Sequence, residues 1–184
     1  MGIGHQVSTV HVIDFSLSKE FRSLDTHLHI PLHQGMKCGL TRSVLFASNN
    51  SHTGCELGRW DNLESLAYVL IYFLCGGLPW EGLVNSNLIA QYKLESSTED
   101  LCNGLPVKYA TLLSYSQMLP FDAKPDYDYI SRLFSESVPH EGTHPVFDWD
   151  SGLAHINTLY TNPPPPMIAS RMHKSRAAPI RRTG

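Results

Sequence analysis

Hydrophobic residues gather into one nearly unbroken run from Leu63 to Cys75, which Gly76 and Gly77 then stop. Asp61 and Glu64 have the spacing of a capping box, so the pattern predicts a helix that opens at Asp61. A helix apolar on every side is expected to be buried. Further helices are predicted at about 85–94, at about 106–118 with Pro106 in the first turn, and at about 126–137 after Lys124-Pro125-Asp126. Upstream, Val7, Val10, Val12 and Ile13 read as a short β-strand that ends at Asp14 and aims that carboxylate into a loop. From Ser16 to Asn50 no period is sustained, which predicts a loop of about 35 residues holding at most short pieces of structure. Four prolines, Pro163 to Pro166, favour an extended segment and place the end of the folded body near residue 160.

The expected architecture is therefore mainly α, with a small β element at its start that makes it α+β. Residues 1–160 form the body and residues 161–184 a Pro-rich, basic, disordered tail. With 184 residues, 42% hydrophobic and only 17% charged, the chain can build one real core. The net charge of -3 hides an asymmetry. Arg171, Lys174, Arg176, Arg181 and Arg182 lie in the tail with no acid, so the body carries 9 basic against 17 acidic residues. Five scattered charges describe a solvated end, and no nucleic-acid partner is expected.

Cys38, Cys55, Cys75 and Cys102 form no C-x-x-C pair, which argues against a zinc ribbon or dithiol redox site. Reduced thiols in the cytoplasm or nucleus fit best. The run from Leu66 to Leu74 is about half the length needed to cross a bilayer, and no signal peptide opens the chain, so no membrane association is expected. His27, His29, His33 and Cys38 have the ligand types of a metal site, but their short, irregular spacing reads as an ordinary loop.

A series of short blocks carries a family resemblance. Val12-Ile13-Asp14-Phe15-Ser16 resembles the strand and metal-binding Asp-Phe-Gly segment of a protein kinase, with serine in place of glycine. Thr26-His27-Leu28-His29-Ile30-Pro31 and Phe46-Ala47-Ser48-Asn49-Asn50-Ser51-His52 follow in order. Next come Asp61-Asn62-Leu63-Glu64-Ser65-Leu66, Leu78-Pro79-Trp80-Glu81-Gly82-Leu83, Lys124-Pro125-Asp126-Tyr127 and Val146-Phe147-Asp148-Trp149. Over residues 1–150 this order resembles the C-terminal lobe of the casein kinase 1 family of serine/threonine protein kinases.

The resemblance implies a kinase C-lobe without an N-lobe or a catalytic loop. Asp14 matches the aspartate that holds magnesium on the ATP phosphates, here as a vestigial metal site. The Gly-rich loop, N-lobe lysine, helix glutamate and His-Arg-Asp loop are not in these 184 residues, so this chain alone is expected to be inactive and to need no cofactor, although the family uses ATP and magnesium. Kinase sequence upstream of Met1 is expected. On the substrate face, Arg42, Ser43 and Leu45 are the remnants of the family's Gly-Thr-Ala-Arg step, and Leu45 replaces the arginine that receives acidic substrate groups. Asn62 stands for the central-helix aspartate, Ala67 for the glycine after it, and Gln117 and Pro120 for arginines. The implied function is a truncated, pseudokinase-like interaction module that binds a protein partner through the former substrate face or the Pro-rich tail. The alternative is a fragment of a longer, active, ATP-dependent serine/threonine kinase.

Overall fold

The computed structural model describes residues 10–16, 18–31 and 44–135. They fall into two compact units, Met1–Pro31 and Leu32–Gly184. The expected domain end near 160, the tail, the Val146–Trp149 block, His33, Cys38, Arg42 and Ser43 lie outside the described residues.

In the first unit no strand runs through residues 10–13. Val10, Val12, Ile13 and Phe15 are exposed, and Asp14 has φ 65°. A left-handed backbone ends an extended run, and an aspartate tolerates it better than most residues because its side chain can bond locally. Residues 10–13 thus form no strand, and the earlier part of the expected one lies outside the described residues. Order in this unit comes instead from a tight turn. Arg22 and His29 form an isolated antiparallel bridge, closed by Ser23 N to Leu28 O and Ile30 N to Phe21 O, both 2.9 Å. The 16–50 stretch is expected to be loop with short pieces of structure, and in its described part this turn is such a piece.

The described part of the second unit is built from six helices: α1 Asn49–Thr53, α2 Arg59–Cys75, α3 Ser86–Glu95, α4 Thr98–Leu101, α5 Val107–Met118 and α6 Tyr127–Ser135. Among the described residues the chain is mainly helical, and no helix is long and apolar enough to cross a membrane. α3, α5 and α6 lie where the periodicity predicts them, while the short α1 and α4 were not predicted. α2 starts two residues before Asp61. Its N-cap is Gly58, whose amide donates to Asp61 Oδ2 at 2.6 Å, so Asp61 reaches back as the third helical residue instead of capping the helix itself. Its end is as expected: Gly76 takes φ 74° and returns its amide to Tyr72 O, a conformation that a β-carbon would strain.

The core sits between α2 and α5, the principal helix pair. Ala67, Tyr68 and Ile71 of α2 pack with Leu112 and Leu113 of α5 and with Leu78, Trp80, Ile89 and Leu101. Trp80 is 1% exposed and meets Tyr68 edge to face at 5.2 Å, so one aromatic pair anchors the loop after α2 to the helix itself. The expectation of complete burial for α2 fails on one side. Leu66 is 45% and Phe73 68% exposed, seven residues apart and hence on one face. At the far end, Asp126 caps α6 by accepting from Tyr129 N at 2.8 Å, while Pro125 is fully buried beside it.

Candidate functional site

Asp14 is fully solvent-facing, and its Oδ1 accepts from Ser16 N at 3.2 Å and from Ser16 Oγ at 2.6 Å. These two bonds hold the carboxyl below its ordinary range. Leu45 belongs to the other unit. It is half-buried against the core, and its carbonyl accepts from Trp80 Nε1 at 2.8 Å. At the position where the family resemblance expects a substrate-binding arginine, the side chain is packing material. Arg42 and Ser43 are not among the described residues, so of the four expected site residues only these two are placed.

A polar cluster that the sequence did not single out lies where α1, α2, α3 and α5 meet. Ser48 Oγ donates to Asp61 Oδ1 at 2.5 Å and also caps α1 by accepting from Ser51 N. Glu64 is fully buried, and its Oε1 accepts from Tyr68 Oη at 2.8 Å and from Gln117 Nε2 at 3.2 Å. Its Oε2 accepts from Asn49 N at 3.3 Å. Lys93 on α3, 3% exposed, donates from Nζ to Val44 O at 3.1 Å and Ala47 O at 2.5 Å. The same ammonium stands 4.9 Å from the Tyr68 ring centre and 5.1 Å from that of Trp80, so two π faces replace part of its lost hydration.

Burial dominates the electrostatics of the cluster. It pushes the Asp61 carboxyl up to about 6, against the hydrogen bonds from Ser48 and Gly58 that favour the anion. Burial also lowers Lys93 to about 8, with the charge of Glu64 acting the other way. His52 on α1 falls to about 4, first through burial and second through the positive charge of Lys93. Neither ring nitrogen of His52 has a hydrogen-bond partner among the described residues.

Ser48, His52 and Asp61 supply the residue types of a nucleophilic triad, but the connections do not. Ser48 bonds directly to Asp61, its hydroxyl is buried, and His52 bonds to neither. A cavity of about 320 Å3 opens beside the cluster, edged by Asn50, Trp60, Ser96 and Gln117, with Glu64 and Lys93 at its wall. Both charges are turned into the protein, where they tie the 44–48 segment and the helices together.

Lys93 had one legible signal: it follows the buried Ile89 by four residues, so it lies on the inward face of α3. Among the described residues no three His, Cys, Asp or Glu side chains gather where they could hold a metal ion. His29, expected to be a loop residue, sets Nδ1 2.8 Å from Ile30 O. No protein-family model matches the chain.

Proposed function

We propose that this chain is a casein kinase 1-like C-lobe that does not transfer phosphate by itself and serves, at most, as a protein-binding body. The observation that carries the proposal is the use made of the polar residues in the helical unit. Ser48, Asp61, Glu64 and Lys93 are each 3% exposed or less and spend their hydrogen bonds on the fold, which is the use of a structural network and not of a catalytic site. Leu45 adds an apolar side chain where a kinase of this type would present a cation. The kinase part of the proposal rests on the ordered sequence blocks. The partner-binding part rests on the exposed Leu66 and Phe73 face of α2.

Calorimetric titration with MgATP tests it. Binding no tighter than millimolar is expected, because Asp14 is the one residue of the phosphate and metal machinery present. Micromolar, magnesium-dependent binding that disappears in Asp14→Ala would overturn the proposal.

One observation favours a second reading, in which these residues belong to a longer active kinase. Val10, Val12 and Ile13 lie at least 77% exposed, an apolar row that further chain of a longer kinase would cover. The mass of the native protein, with translation of the genomic region around it, separates the two. An active longer form is expected to phosphorylate unprimed peptides as well as primed ones, because Leu45 offers a priming phosphate no positive charge.

A further inference from the structure

The chain passes from α4 to α5 through a tight turn, after which Pro106 caps the second helix. Leu101 and Cys102, each 6% exposed, hold the near side of this junction in the core. Asn103 and Gly104, directly after them, are exposed. Theirs is the one Asn-Gly step in the chain. Gly104 takes φ 82°, and Leu105 N donates to Cys102 O at 3.0 Å, so the two residues form the centre of a turn closed by that bond. Among the described residues neither the Asn103 side chain nor the Gly104 amide has a hydrogen-bond partner. Asn85, also in a connecting segment, differs on both counts: Ser86 follows it, and its Oδ1 accepts from Asn87 N at 2.9 Å and Leu88 N at 3.4 Å as the cap of α3.

We propose that Asn103 is a site of spontaneous modification, at which the chain converts its own asparagine to isoaspartate and aspartate and so weakens the α4–α5 junction with age. The Gly104 amide nitrogen gives its proton to hydroxide and attacks Asn103 Cγ. The bond from Cγ to the side-chain nitrogen breaks, that nitrogen takes a proton from water and leaves as ammonia, and a five-membered cyclic imide remains. Water then adds to one of the two ring carbonyls. Opening at the main-chain carbonyl gives isoaspartate, and opening at Cγ gives aspartate. The sum is one water consumed and one ammonia released, with nothing oxidised or reduced.

The turn suits this reaction. Glycine puts no β-carbon beside the attacking nitrogen and tolerates the positive φ. No partner has to be given up by either reacting group, and rotation of Asn103 toward the attack breaks the single bond from Leu105 to Cys102. The products do not suit the turn. Isoaspartate lengthens the main chain by one carbon between Cys102, fixed in the core, and α5, packed on α2. Either product also places a carboxylate close in sequence to the exposed Glu99 and Asp100.

Ageing the folded full chain in mildly alkaline buffers, followed by digestion and mass spectrometry with separation of the two isomers, tests the site. Residue 103 is expected to convert ahead of Asn85, with first-order kinetics that quicken as pH rises, and the isoaspartate form to unfold at a lower urea midpoint than the parent. Asn103→Gln, which would have to close a larger ring, is expected to end conversion at this position. Gly104→Ala is expected to slow it severalfold, and because alanine is strained at that φ, its folding is checked by the urea midpoint. Asn103→Asp carries the charge without the extra main-chain carbon and is expected to stay closer to the parent midpoint than isoaspartate does. Three results would overturn the proposal: residue 103 intact when Asn85 has converted, conversion in urea but not in the folded chain, or an isoaspartate form as stable as the parent.

Discussion

Gln117 and Glu64 meet across 53 positions of sequence, with the Gln117 amide donating to a fully buried carboxylate oxygen at 3.2 Å. The donors on Glu64 are neutral ones, from Tyr68, Asn49 and Gln117, and the Lys93 ammonium is committed to two backbone carbonyls. A buried carboxylate with neutral donors depends on every one of them.

Replacing Gln117 by leucine removes one donor from that carboxylate without opening a large cavity. The expected loss is about 1–3 kcal/mol in urea unfolding, the desolvation cost of an acceptor left short of a partner. Gln117→Arg is expected to move the midpoint the other way, because a guanidinium adds charge to the bond. If neither change moves the midpoint, Glu64 does not depend on residue 117.

Lys93 is expected to behave as a structural cation. Lys93→Met keeps the apolar stem but leaves Val44 O and Ala47 O without their donor and removes the charge over the Tyr68 and Trp80 rings. A loss of about 2–4 kcal/mol is expected by thermal or urea unfolding. Lys93→Arg is not a rescue, since the larger planar head does not fit the same two carbonyls.

Asp61 and His52 oppose each other in their pH dependence. The folded Asp61 titrates near 6 against an ordinary value of 3.8, so its contribution is full at low pH and declines as pH rises from about 4 to 6. The folded His52 titrates near 4 against 6.5, so its contribution is full above 6.5 and declines as pH falls toward 4. Between those limits the two slopes offset, each at most about 1.4 kcal/mol per pH unit. In Asp61→Asn, stability is expected to fall as pH is lowered from 6.5 to 4, and in His52→Gln to rise over the same interval. Urea midpoints at several pH values read both signs, and parallel profiles for the two variants would refute the assignment.

The apolar face of α2 predicts self-association. Leu66→Ser with Phe73→Ser removes two exposed large side chains and touches no core residue. Light scattering at micromolar concentration is expected to show smaller species, and binding of an apolar dye to decrease, with the melting midpoint nearly unchanged. If the double variant associates as the parent does, the contact surface lies elsewhere.

The sequence shows most clearly what depends on local backbone chemistry. Gly76 ends α2 because a left-handed residue is needed there, and Asp126 opens α6 because its carboxylate satisfies a free amide; both effects reach only a few residues. The start of α2 was misplaced for a local reason too, since Asp61 and Glu64 have the spacing of a box but Asp61 serves as its third helical residue and Gly58 as its cap. What escaped depends on distant partners. Val10 to Ile13 have strand-like alternation, which cannot say whether a neighbouring strand exists. Lys93 is a charged residue of ordinary type until Val44, Ala47, Tyr68 and Trp80 are brought round it.

Those long-range bonds also bear on the order in which the chain assembles. α2, α3, α5 and α6 close their hydrogen bonds within a few residues, whereas Lys93 reaches Val44 and Ala47 across 49 and 46 positions, and Trp80 reaches Leu45 across 35. Closing such loops has an entropic cost before any contact compensates it, so the 44–48 strap is expected to dock after the helix pair has formed. In stopped-flow chevrons, Lys93→Met should then speed unfolding while leaving the folding limb nearly in place, and the strap becomes the last piece fastened and the first released.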